Sequence, residues 1–186
     1  MENFESKALL KTLIKEIMRN SSLVGGHINY DEFVRWAKNE ADKLTTNKEK
    51  QADLEFQWAE NIDGIKIIVY KFANPIGYVG LENFEDGNKI TTLGIIPTAR
   101  GEGIAEKLYK YIVSKTILYS DKIQTPEARK LWARLFAKYP VKGFNKTTHE
   151  IFEVEPNENN SELKSLNLKY DLYSEKENDN YLVIGR

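Results

Sequence analysis

The hydrophobic period changes once along this chain, near residue 53, and that change constrains the fold more than any other feature. Before it, Phe4, Ala8, Leu9, Leu13, Ile14, Ile17 and Met18 follow the spacing of an amphipathic helix. Asn20-Ser21-Ser22 and Gly25-Gly26 end that run. A second helix is expected after Asn29 or Asp31, with Phe33, Val34, Trp36, Ala37, Ala41 and Leu44 on one broad face. Thr45 to Lys50 has no period and reads as a loop. Beyond residue 53, Leu54, Phe56 and Trp58 alternate with polar residues, as in a half-buried strand. Asp63-Gly64 leads into a β-branched run from Ile65 to Phe72, and Asn74-Pro75 reads as a break. Ile76 to Leu81 and Lys89 to Ile96, joined through Asp86-Gly87, complete an antiparallel meander.

The second half alternates between the two periods. Residues 100–115 read as a helix, Thr116 to Tyr119 as a short strand, and residues 126–139 as another helix. Thr125 is placed to cap that last helix, Pro126 suits its first position, and Glu127 complements its dipole. Val141 to Phe144, Glu150 to Val154, Leu166 to Leu172 and Tyr181 to Ile184 read as closing strands, with a polar loop at Pro156 to Asn160. The expectation is a mixed α/β chain with a mostly antiparallel, twisted sheet flanked by helices and a two-helix N-terminal region.

Composition narrows the chemistry. The 186 residues suit one domain, and the absence of Cys removes disulfides, thiolate metal sites and a cysteine nucleophile. Two separated histidines, His27 and His149, leave little for a metal site, so none is expected. A net charge of −1 gives no bulk attraction for nucleic acid. No apolar run approaches the roughly 20 residues of a membrane span, and the N-terminus shows no signal core. A soluble cytoplasmic protein is expected.

One segment carries chemistry: Ile95-Ile96-Pro97-Thr98-Ala99-Arg100-Gly101-Glu102-Gly103-Ile104-Ala105, which joins a strand to a helix. Its glycines permit positive φ and a close ligand approach. Ile104, Leu108 and Ile112 place the following helix's N-terminus within it, where unpaired N–H groups and the dipole suit a phosphate or pyrophosphate. Arg100 stands at the mouth of this turn and can add a charge-assisted contact. The plain alternative is a tight strand-to-helix connection.

The segment resembles the acyl-CoA-binding signature of the Gcn5-related N-acetyltransferases, Gln/Arg-x-x-Gly-x-Gly/Ala, with Arg100, Gly103 and Ala105 at its defined positions. The approach Ile95-x-Pro97-x-x-Arg100-Gly101-x-Gly103 is also similar to that family's. The resemblance covers about residues 53–145 and implies a single domain over 1–186. Within it, 1–50 would be a helical N-terminal region, 53–145 the acyl-CoA-binding core and 146–186 C-terminal strands. No convincing first strand precedes the two helices, unless a very short one lies around Leu23-Val24. The resemblance makes Lys89 to Ile96 the family's fourth strand, whose end splays from its neighbour to admit pantetheine. Leu93, Ile95, Arg100, Gly101, Glu102, Gly103, Ile104 and Ala105 are then the expected contacts for acetyl-CoA or another acyl-CoA. Gly94 fits independently, because a glycine inside a strand marks a bulge or a close approach.

The chain departs from the family at its acid and base. Trp132 stands where many members carry the Tyr that protonates the departing thiolate, and an indole cannot deliver that proton. Tyr119, Ser120 and Tyr139 are the substitute candidates, and Glu82 and Asp121 are the nearest carboxylates for a base. Thr91 and Thr92 occupy the place of the family's fourth-strand carboxylate. Tyr119-Ser120-Asp121 with Thr125 and Leu131-Trp132 is similar to a pattern in GNAT-like proteins of bacteriophages. Trp36, Trp58 and Trp132 otherwise read as core aromatics.

The leading expectation is an acyl-CoA-dependent N-acyltransferase, acting on an amine of a protein, small molecule or nucleobase. The alternatives are a catalytically inactive GNAT-like binding or inhibitor protein with a protein partner, and a nucleobase modifier, which the overall charge does not favour.

Overall fold

The computed structural model describes residues 47–62, 64–158, 162–173 and 179–185. The two expected N-terminal helices and the alternative strand near Leu23-Val24 lie outside the described residues. Elements are numbered here in chain order. Strands β1 (Asn47–Gln51), β2 (Leu54–Asn61), β3 (Gly64–Lys71), β4 (Asn74–Phe84) and β5 (Gly87–Ile95) form an antiparallel meander. A 3-10 turn at Pro97–Ala99 precedes helix α1 (Ile104–Val113), then come β6 (Leu118–Tyr119) and helix α2 (Pro126–Phe136). The chain closes with β7 (Lys142–Asn145), β8 (Ile151–Phe152), β9 (Val154–Pro156), β10 (Leu163–Ser165) and β11 (Asn180–Ile184).

Nine of these strands make one sheet in the order β1-β2-β3-β4-β5-β6-β11-β7-β8, and β9 and β10 pair separately. Every neighbouring pair in the large sheet is antiparallel except β5 and β6. That parallel pair requires a crossover, and α1 provides it. The last strand, β11, inserts between β6 and β7, with Val183 opposite both Tyr119 and Lys142.

Alternation along the strands divides the core. Phe56, Val69, Ile67, Val79, Leu81, Ile90, Leu118, Leu182 and Ile184 pack with α1 and α2 residues in one buried cluster. There the Phe56 and Tyr111 rings stack at 4.3 Å, which fastens α1 to β2. A register shift at Gly80/Leu81 inserts Thr91, so Ile90 and Leu93 both oppose residues of the same face of β4. A smaller cluster of Phe84, Tyr119, Phe144, Tyr181 and Val183 covers the other face.

Several boundaries differ from the sequence reading. Residues 47–51 are not loop but an edge strand, exposed and rich in charge. An edge strand satisfies one side of its backbone and needs no apolar stripe, so no period announces it. Asn74-Pro75 does not break the chain: the turn falls at Phe72 and Ala73, both with positive φ, and Pro75 opposes Tyr70 at a register shift. Such an irregularity tolerates a residue without an N–H. Glu150 to Val154 is not one strand, because the chain leaves the large sheet at Glu153. Leu166 to Leu172 is not a strand; the pairing lies earlier, at Leu163–Ser165, and Leu166 and Leu168 are exposed. Helix α1 begins only at Ile104, after the two glycines, not at residue 100. The cap expected for α2 is made, Thr125 Oγ1 accepting from the Ala128 N–H at 3.2 Å.

Candidate functional site

Strand β5 is longer than its parallel partner. β6 pairs with it only at Asn88 and Lys89, opposite Leu118 and Tyr119, so Ile90 to Ile95 continue without β6 alongside. The N–H of Ile96 donates to Ile76 at 3.0 Å, which fixes which residues face β4. Alternation then turns the backbone groups of Leu93 and Ile95 toward the side that β6 has left. Arg100 reaches that side too, its Nε donating to the Ile95 carbonyl at 3.0 Å. Gly94 is covered on its other flank: a Cβ there would lie 2.4 Å from the Tyr78 ring.

The turn after β5 is open around its two glycines. Gly101 and Gly103 have φ of 86° and 73°, and a Cβ on either would meet nothing within 4 Å. Gly103 is the N-cap of α1 and supplies no side-chain cap, so the first N–H groups of Ile104, Ala105 and Glu106 lack the usual side-chain acceptor. The turn therefore presents uncapped N–H groups at the positive end of a ten-residue helix. The Glu102 carboxylate is paired with Lys71. Ile104 is buried in the core beneath, and Ala105 packs against its edge.

The candidate acids and bases divide into two groups. Glu82 and Asp121 come together around Lys89. Lys89 Nζ lies 2.6 Å from Glu82 Oε1, and its charge acts on Asp121 as well. Burial pushes the Asp121 carboxyl above the usual aspartate range, against the opposing effects of the Lys122 N–H and the Lys89 ammonium. That N–H donates to Asp121 Oδ1 at 2.7 Å. Tyr119 and Ser120 form the second group, and each makes a hydrogen bond within the sheet region. The Tyr119 hydroxyl donates to Asp86 Oδ1 at 2.6 Å, on the face of the small aromatic cluster. Ser120 Oγ accepts from the Leu182 N–H at 2.9 Å and donates to the Asp121 carbonyl, so it closes the end of the β6–β11 ladder. Tyr139 lies beyond α2, half-buried against the helix-side core. Its neighbour Lys138 meets Glu106 in the first turn of α1 at 2.5 Å.

Gln124 and Tyr109, near this gap, were not singled out by sequence, and Thr92 was noted only as standing in the place of a carboxylate. Thr92 Oγ1 and Gln124 Oε1 are buried and, among the described residues, have no hydrogen-bond partner. They belong to β5 and to the segment following β6, the two elements that diverge. Tyr109 of α1 is fully buried, stands edge-on to Trp132 at 5.7 Å, and has its hydroxyl acidity suppressed by that burial. Nothing in their sequence context separates them from ordinary strand, loop or core positions.

Among the described residues no cluster of His, Asp or Glu is placed to hold a metal ion, and no helix is long and apolar enough to cross a membrane.

No protein-family model matches the chain. No curated protein matches it either. A solved structure from Bacteroides thetaiotaomicron, described as a GNAT-family acetyltransferase, is similar over 96% of this chain and 82% of its own. The identity is 11% and the TM-score 0.40.

Proposed function

We propose that this protein is an acyl-CoA-dependent N-acyltransferase. The observation that carries the reading is one arrangement: the uncapped N-terminus of α1, opened by Gly101 and Gly103, sits directly after the strand whose edge β6 abandons at Lys89. An anion site and an unpaired strand edge then lie in sequence, as a ligand with a diphosphate and an amide-bearing arm requires. The unpartnered Thr92 Oγ1 and Gln124 Oε1 fit such a ligand, because buried polar atoms are rarely left unpaired.

Under this reading, the N–H groups of Ile104, Ala105 and Glu106 hold phosphate oxygens. Leu93 offers its backbone N–H and carbonyl to the arm, while Arg100 occupies the Ile95 carbonyl and braces the strand end. Bound acyl-CoA would supply a thioester already activated toward an amine. Asp121 is the proposed base: its raised affinity for a proton suits it to take one from an incoming amine, directly or through water. Glu82 and Lys89 set the local charge. An acceptor of low pKa needs less from that base. The acyl group and the acceptor's class, whether protein, small molecule or nucleobase, follow from experiment.

Native mass spectrometry of the purified protein, with thermal unfolding in millimolar acetyl-CoA, tests the reading. A retained CoA species, or a rise in melting temperature from preferential binding to the folded state, is expected. An unmoved transition with no retained species would remove the cofactor.

One observation favours a second reading, a binding protein without catalysis. Trp132 is buried, and the hydroxyls of Tyr119 and Ser120 are both engaged in structural hydrogen bonds. Acetyl-CoA binding without acyl transfer to any amine, together with a stable complex in a pull-down, would support it.

A further inference from the structure

Glu102 puts a negative charge inside the turn proposed to hold a diphosphate, between its two positive-φ glycines. An uncompensated carboxylate there repels an anion, and it also competes for the uncapped N–H groups of α1. The structure shows where this carboxylate goes. Glu102 Oε2 lies 2.5 Å from Lys71 Nζ, at the end of β3, 31 residues earlier in the chain. Lys71 also lies 3.7 Å from Asp53 Oδ2, and Asp53 Oδ1 takes Lys107 Nζ at 3.3 Å. A chain of alternating charges thus runs from α1 through the β1–β2 turn and the end of β3 to the 97–105 turn.

We propose that Lys71 is a positioning residue that draws the Glu102 carboxylate toward β3 and neutralises it, leaving the turn open to a diphosphate. The inference rests on the acyl-CoA reading for the ligand's identity, but its logic requires only an anion. The hydrogen bond to Glu102 and the nearby Asp53 raise the proton affinity of Lys71, so it stays charged across the physiological range. An exposed ion pair contributes little to folding, so the effect belongs in ligand affinity and not in stability.

A double-mutant cycle at low ionic strength tests this, with acetyl-CoA and inorganic pyrophosphate as probes and affinity read by calorimetry. Lys71→Met should weaken binding about tenfold, the order of coupling expected for neighbouring charges. Glu102→Gln should bind at least as well as wild type. The double variant K71M/E102Q should return to within about twofold of wild type, since the charge needing neutralisation is gone. High salt should shrink the K71M deficit. A double variant as weak as K71M, or a K71M protein that binds like wild type, would overturn the proposal. Wild type that binds pyrophosphate but not acetyl-CoA would sink the acyl-CoA reading alone, and the cycle is then read with pyrophosphate. Wild type that binds neither probe would overturn both.

Discussion

Arg100 folds back onto the strand it follows, its Nε donating to the Ile95 carbonyl at 3.0 Å. The first defined position of the Arg-x-x-Gly-x-Gly/Ala pattern is thereby a brace between β5 and the turn. Its guanidinium closes a carbonyl that β6 has left unpaired, and only its remaining N–H groups face outward.

Arg100→Ala should therefore act in two ways. Losing an exposed hydrogen bond should lower stability by no more than about 0.5 to 1 kcal/mol. The stabilisation by millimolar acetyl-CoA should shrink as well, because the turn is less well held. Thermal unfolding with and without ligand separates the two. Arg100→Lys should not restore the ligand response, since a lysine lacks the planar fork. An unchanged ligand response in Arg100→Ala would refute the brace.

The glycines make a second, purely conformational test. At Gly103, φ is 73° and a Cβ would touch nothing, so Gly103→Ala should cost about 1 to 2 kcal/mol through backbone strain alone. At Gly143 the backbone is ordinary, but a Cβ would lie 2.1 Å from the Phe152 ring. Gly143→Ala should cost about 1 to 3 kcal/mol through overpacking. Gly143→Ala combined with Phe152→Leu should recover part of that, whereas nothing near Gly103 can be trimmed to help. Chemical denaturation measures all three.

Tyr119 and Ser120 serve the sheet in this structure. Tyr119→Phe should lose about 1 kcal/mol with its hydrogen bond to Asp86 while leaving acyl transfer intact. Ser120→Ala orphans the buried Leu182 N–H and should cost about 1 to 3 kcal/mol. A collapse of turnover in Tyr119→Phe at unchanged stability would make that hydroxyl the acid.

Asp121 gives the pH dependence. Its carboxyl holds a proton more tightly in the folded state than in the unfolded chain, so the folded state binds more protons between those two pKa values. Its contribution to stability is present below the unfolded value of 3.8 and is lost as pH rises through the folded one. Asp121→Asn, which keeps an acceptor for the Lys122 N–H, should thus be more stable than wild type at neutral pH, and the gap should close in acid. Transfer activity should rise with pH as Asp121 ionises and be lost in Asp121→Asn. Unaltered activity in that variant would remove Asp121 as the base.

How much was legible in the sequence differs from element to element. Leu54, Phe56 and Trp58 announce β2, because burying one face of a strand imposes a period of two. Thr125-Pro126-Glu127 announces the start of α2, because a cap is a local device. Arg100, Gly101 and Gly103 mark the turn, because positive φ is cheap only for glycine. The charged edge strand β1 escaped notice, since its pairing is with backbone and leaves no trace in side-chain period. Leu166 to Leu172 misled for the converse reason: apolar residues at alternate positions need a partner strand, and among the described residues none pairs with them.

By itself the sequence determined the antiparallel meander, the two described helices and the glycine-containing turn before the first of them, all properties of neighbours in the chain. Tertiary structure alone decided where β6 lets go of β5, that β11 enters between β6 and β7, and which hydroxyls are used up. It also brought Asp121 near Lys89, and Lys71 to Glu102. Those relations join residues 31 or more positions apart or depend on packing between elements, and no local pattern encodes them. Propensity and period act over one turn or one strand, whereas the charge and exposure of a side chain depend on what the whole sheet places beside it.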